Sequence, residues 1–363
     1  MWQRRAFLKA AGAGFLASLL PQRAEALERS ELVFASAIQR KRGGFGAALV
    51  NESGALIASV DLPDRGHDIT YSPATGRAVV FARQPGTFAV VFDARGNEAP
   101  VTLTSVPGRH FFGHGVFSPD GRILYATEND FENARGVIGI FDATSGFRRM
   151  GEFDTYGTGP HEVILMPDQR TFAIANGGIE THPDYGRSEL NIDSMDPSLA
   201  FVDARDGSLI GQLRLGSDLH QLSIRHMVVD RADRVWFGCQ FRGAQQDRPQ
   251  LVGYATLDGE IRLIELPPGQ LESLANYIGA IAVSADGGVI GVSSAPGSTI
   301  LAIDAASGRT LSSVSLRNGS GIANDDAGFL VSSGWGEMLG VAGSTAPKKQ
   351  FDFNFDAHLR RLG

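Results

Sequence analysis

At 363 residues with a formal net charge of −7, the chain is long enough for a sizeable core and has no basic excess. That balance excludes a protein that tracks nucleic-acid phosphates or an acidic membrane surface, since both need a basic stripe. Glycine occurs 45 times, charged residues make up 20% and Cys239 is the only cysteine, so the composition predicts short strands joined by tight turns and excludes an intrachain disulfide.

The first element in chain order is an export signal over residues 1–26. Gln3-Arg4-Arg5-Ala6-Phe7-Leu8-Lys9 precedes an apolar run from Ala10 to Leu20, and Ala24-Glu25-Ala26 supplies a small-residue cleavage site. Tandem arginines followed by Phe-Leu-Lys resemble a twin-arginine signal, with Gln3 where serine or threonine is usual. The apolar run is too short to span a bilayer comfortably; the competing readings are a general secretion signal and an uncleaved anchor. The expected location is the periplasm, with no membrane attachment after cleavage. Removal takes Arg4, Arg5, Lys9 and Arg23 against Glu25, leaving 29 basic and 39 acidic residues, net −10.

Residues 31–363 predict a single domain built from repeats. Six segments start alike: His67-Asp68-Ile69, His114-Gly115-Val116, His161-Glu162-Val163, His226-Met227-Val228, Ala280-Ile281-Ala282 and Ser320-Gly321-Ile322. Each is a short apolar run ending in a polar turn, such as Ser118-Pro119-Asp120-Gly121. A second apolar strand follows, and a third ends in Asp-x-x-x-Gly in several units, as at Asp142 and Asp304. His67, His114 and His161 are spaced 47 residues apart. Four strands per unit at this period is the signature of a β-propeller, because a small twisted sheet has two apolar faces and radial stacking buries both. The expected fold is all-β, a seven-bladed β-propeller. Residues 31–62 supply three strands, and the C-terminal strand around His358 completes that N-terminal blade from the inside, closing the ring without a free edge. Six or eight blades is the alternative count. The stretch from Gly177 to Leu199 interrupts a unit after its second strand, and a loop this long in a compact repeat is a candidate lid or binding loop.

The innermost strand of a propeller blade runs down the central channel, so its first residue faces the axis near one mouth. Around the ring that position reads His358, His67, His114, His161, His226, Ala280 and Ser320, taking five of the chain's eight histidines. Neutral imidazoles converging on one axis make a nitrogen-rich site for iron, copper or zinc; calcium prefers oxygen. Asp68 and Glu162 are placed to orient imidazoles as hydrogen-bond acceptors. The competing reading is structural, with imidazoles filling the corner of the repeat and bonding a neighbouring blade's backbone. The distances among the rings decide between the two. Loops after the second strands open on the same face and nominate Glu128, Asn129, Asn176, Gln240 and Arg242 as cofactor contacts. Asp130, Glu180 and His182 lie beside them, and His110 and His220 fall near the same rim.

Other chemistry is mostly missing from the sequence. It has no Cys-x-x-Cys-His for covalent haem, no Gly-x-Ser-x-Gly elbow and no phosphate-binding glycine loop. Glu180-Thr181-His182-Pro183-Asp184 lacks the helical histidine spacing of a zinc peptidase. Cys239, in the apolar run Val235–Cys239, reads as a buried inert thiol, and Trp236 and Trp335 read as packing between blades.

The phrases HGVFSPDGRILYATEND, RGVIGIFDA, GPHEVILMPD, ANGGIETHPDYGRSELNIDSMDPSL and LHQLSIRHM together resemble the exported bacterial family called domain of unknown function 1513. The resemblance runs from about Leu32 to Leu362, and the GGIETHPD loop is its most specific part. It implies a periplasmic propeller whose genes neighbour those of imelysin-like and cytochrome-type proteins, and hence partners in iron acquisition. It supplies no catalytic residues. The expected function is a non-enzymatic propeller that binds a transition metal, a metal complex or a partner protein at a histidine-lined mouth. Two alternatives stay open. One is a lactonase-like hydrolase or an oxidoreductase using the same pocket, which a carboxylate-built channel floor would favour. The other is an interaction scaffold that meets its partner through the Gly177–Leu199 loop.

Overall fold

The computed structural model describes residues 32–94 and 99–362, and the export signal expected at 1–26 lies outside them. Seven antiparallel sheets form, six of them with their strands in chain order from the axis outward and blade 1 with the C-terminal segments innermost. Blade 1 joins Val33–Arg40, Phe45–Asn51 and Leu56–Leu62 to the last strand segments of the chain, Phe353–Phe355 and Arg360–Arg361, which pair with Val33–Arg40. The inner strands of blades 2 to 7 are Gly66–Tyr71, Arg109–Phe117, Pro160–Leu165, Leu222–Val229, Ala280–Val283 and Gly319–Asn324. Each contacts the next, and the C-terminal segment touches both blade 7 and blade 2, so the ring is closed as the repeat predicts. Among the described residues no helix is long and apolar enough to cross a membrane.

The turn residues account for the repeat. Ser118 Oγ donates to Asp120 at 2.6 Å while Asp120 accepts the Arg122 amide, and Ser284 and Asp286 repeat the pair at 2.6 Å. Asp142 with Thr144 and Asp304 with Ser307 hold the later turns in the same way. Such side-chain bonds to nearby backbone favour a tight turn over a continued strand.

Six apolar clusters fill the seven blade interfaces, one of them running through blades 4, 5 and 6. Val79 and Phe81 of blade 2, for example, meet Phe111 and Leu124 of blade 3, and Tyr125 and Ile138 of blade 3 meet Phe172 and Ile174 of blade 4. Trp236 is fully buried and donates to Asp230 at 2.8 Å. Trp335 departs from the packing role expected of it. It is 52% exposed, with Arg317 over its ring, because it sits in the turn after a second strand and outside the interface.

The inner strands carry a feature that positions the site. In blades 2 to 5 the pairing register slips at or beside the histidine. Gly66 faces Ala82 but Ile69 faces Val80; Phe111 faces Glu128 but Gly115 faces Ala126. The slips between Pro160 and Glu162 and between Ile224 and His226 are of the same kind. In blade 1 the pairing breaks between Phe355 and Arg360, around His358. Blade 6, with Ala280, pairs regularly, while blade 7 slips between Gly319 and Ile322, around Ser320. A bulge inserts unpaired residues and re-aims a side chain. The histidines are therefore not all strand starts: His114 is the sixth residue of Arg109–Phe117 and His226 the fifth of Leu222–Val229. The bulges bring them to a common level.

Candidate metal centre

The five histidines of blades 1 to 5 are buried and in contact. His67, His161, His226 and His358 form a four-cornered cluster. Its centroid separations are 5.9 Å for His67–His161, 4.5 Å for His161–His226, 4.7 Å for His226–His358 and 4.6 Å for His358–His67. His114 touches all four, at 5.0 Å from His67, 4.8 Å from His161, 5.4 Å from His226 and 4.9 Å from His358. Two imidazoles that hold one ion at about 2.1 Å have centroids about 4.5 Å apart at a right angle and about 5.2 Å at a tetrahedral one. Most of the observed separations lie in or beside that range, with His67–His161 the wide edge. Nitrogens of His67, His114 and His161 lie within 4.8 Å of one another, as do those of His114, His226 and His358, so the cluster can hold a metal ion.

The rings do not have the partners that a space-filling role would give them. A buried nitrogen on each lacks a hydrogen bond within the protein: Nδ1 of His67, His161 and His226, and Nε2 of His114 and His358. Nδ1 of His226 and of His67 face Glu162 at 3.5 Å and Asp356 at 3.7 Å; each unmade bond at His114, His161 and His358 costs about 1–3 kcal/mol, and these three in one cluster point to a ligand. Burial pushes the His67 imidazole down to about 3 and that of His226 to about 4. Burial, reinforced by neighbouring imidazoles, also takes His161 and His358 well below the usual range. These four rings are neutral at pH 7, the form that ligates metal.

Carboxylates orient two of the rings. Asp68 accepts from His114 Nδ1 at 2.9 Å, which leaves Nε2 of His114 free as a ligand. Glu162 lies 3.5 Å from His226 Nδ1 and accepts the Met227 amide at 2.8 Å. Each acid follows a channel-facing histidine in sequence, yet it serves the histidine of the next blade. Side chains alternate along a strand, so the residue after the histidine turns sideways. Below them Arg360 bridges both acids, 2.6 Å from Asp68 and 2.6 Å from Glu162. Burial alone would raise both carboxyls. The Arg360 charge and the neighbouring histidines together outweigh it, holding Glu162 at about 2 and Asp68 well below the carboxylate range. Asp68, His114 and Glu162 also have metal-ligand spacing, but both acids are committed to Arg360. The floor is thus a bridged ion triad beneath imidazoles, unlike the carboxylate-built floor of the hydrolase alternative.

On the other side of the cluster a cavity of about 290 Å³ opens to the mouth. His67, His161 and His226 line it together with Arg83, Arg187, Arg225 and Arg242. The loop from Gly177 to Leu199 builds one wall with Ile179, Thr181, Arg187 and Glu189, and is shaped by short turns at Pro183–Tyr185 and Ile192–Ser194. Of the contacts nominated from sequence, Gln240 and Arg242 line this cavity. Glu128 sits within the second strand of blade 3, paired with Arg149 at 2.8 Å. Asn129 bonds His110 at 3.0 Å and the Thr181 carbonyl at 3.1 Å, and Asn176 donates to the Thr155 carbonyl at 2.8 Å. His110 lies in the inner strand of blade 3, bonded to the Phe111 carbonyl, and His182 caps the turn at Pro183–Tyr185. His220 bonds the Ser217 carbonyl, and none of these three joins the cluster. Arg225, Asp356 and Arg360 escape a reading by repeats, because no other blade carries their equivalents. Their only trace is position, within two residues of a clustered histidine.

A family model described as protein of unknown function (DUF1513) matches residues 60–362. In structure the chain is similar to hydrazine synthase of Kuenenia stuttgartiensis, with a TM-score of 0.62 and 13% identity over 82% of this chain and 90% of that one. At that identity the likeness is one of fold. With 1379 solved chains matching in structure, the fold by itself carries no activity. No curated protein matches the chain in sequence.

Proposed function

Because the chain belongs to the DUF1513 family of proteins of unknown function, its role has to be read from its site, and we propose that its five clustered imidazoles bind a transition-metal ion. The observation that carries this reading is the convergence of five buried histidines with unpartnered nitrogens among them. Iron, copper and zinc all accept imidazole ligands. Five nitrogens plus a position facing the cavity favour iron or copper over zinc, whose protein sites are mostly four-coordinate. The twin-arginine signal and the family resemblance support a periplasmic protein in iron acquisition, working with imelysin-like or cytochrome-type partners.

The test is metal content by elemental analysis of stripped protein offered iron, copper and zinc in turn, beside a His114→Ala/His161→Ala variant. The wild-type protein is expected to retain about one ion per chain and the variant almost none, with both melting cooperatively. Retention of none of the three metals, or equal content in the two proteins, overturns the proposal.

A further inference from the structure

We infer that the arginine-walled cavity over the imidazoles receives a small, multiply charged carboxylate anion, held by the guanidinium groups with one arm reaching the metal position. Only that last contact rests on the metal reading. Four arginines face the cavity against one acid, Glu189, in a chain whose net charge is −7. Glu189 is paired with Arg242, and Arg83 is paired with Asp356 at 3.1 Å. Arg187 and Arg225 have no hydrogen-bonding or ion-pair partner among the described residues. In addition, the Nε–H groups of Arg83, Arg225 and Arg242 are buried and unpartnered.

An arginine fork matches a planar carboxylate with two parallel bonds. Arg187 and Arg225 share one cavity wall with Arg83 and Arg242. The cations therefore repel one another in a partly dry wall, and a bound anion relieves both the repulsion and the orphaned donors. Phe112, Ile179 and Tyr277 line the same cavity. They suit a carbon skeleton that carries several carboxylates and leave an inorganic phosphate unmatched.

The test is calorimetric titration of citrate, with phosphate at equal ionic strength for comparison, into metal-stripped and metal-loaded protein. Saturable citrate binding is expected without metal, tighter with metal, and weakened about 10- to 100-fold in Arg225→Gln and in Arg187→Gln. Arg187 stands on the exposed loop, so its variant keeps the fold and its metal content even if Arg225→Gln misfolds. No saturable citrate binding, equal affinity in the Arg187 variant, or phosphate binding as tight as citrate overturns the inference. Equal citrate affinity with and without metal overturns the metal-directed arm. Citrate binding in a protein that retains no metal sinks the metal reading alone, and metal retention without citrate binding sinks this inference alone.

Discussion

Gly113 shows how tightly single residues hold the imidazole cluster. Its φ of +103° is a conformation that glycine adopts at little cost, and a Cβ built there would overlap His67 Cδ2. The glycine therefore meets two demands, the bulge in blade 3 and the seat of an imidazole from blade 2. Gly113→Ala is expected to strain the bulge by about 1–3 kcal/mol and to push His67 out of the cluster. Metal affinity should fall about tenfold or more, as read by competition with a chromogenic chelator. Gly146→Ala is the control, since Gly146 also has a positive φ of +64° but open space around its Cβ. That variant should lose some stability and keep its metal affinity. If both variants bind metal like the wild type, Gly113 is a turn residue and nothing more.

At the scale of elements, the inner strand combines a pattern visible in sequence with one that is not. The 47-residue spacing from His67 to His161 and the Ser-x-Asp turns announce blades, and the register of His358 against His161 announces how the ring closes. Alternation even places Asp68 and Glu162 sideways. The bulges do not show, because an extra residue in a strand leaves no mark in a list of apolar positions. Without them the channel geometry stays open, and so did the choice between a ring of spaced histidines and a cluster. Glu128 and Asn176 were nominated as loop residues but belong to the ends of second strands, where hydrogen bonds inside the propeller take them up. The C-terminal segment is the other element with a hidden task, for Arg360 neutralises two buried acids from blades 2 and 4. Arg360→Met leaves Asp68 and Glu162 uncompensated and is expected to cost metal-free protein about 3–5 kcal/mol in urea unfolding. Arg360→Lys should recover part of that, since it restores the charge without the fork. A loss below about 1 kcal/mol for the methionine variant would show that the triad is not what holds the floor.

For the whole molecule the histidines break the symmetry of the ring. All seven interfaces are apolar and similar in kind, yet blades 1 to 5 each send an imidazole to the axis and blades 6 and 7 present Ala280 and Ser320. One ion would thus tie five blades together, including the C-terminal strand whose docking closes the ring. A ligand that binds only the folded state stabilises it by about 2.7 kcal/mol at a hundredfold excess over its dissociation constant, so metal should raise the melting temperature. Metal should also act locally, because the inner strand of each ligating blade must separate from its neighbours before a histidine can leave. Hydrogen exchange of metal-loaded against metal-stripped protein is therefore expected to slow at Gly66–Tyr71, Arg109–Phe117, Pro160–Leu165 and Leu222–Val229 and in the C-terminal strand. The inner strands Ala280–Val283 and Gly319–Asn324 should change little. Slowing spread evenly over all seven blades would mean that the ion acts through global stability alone. Slowing confined to one or two strands would mean that fewer than five imidazoles ligate.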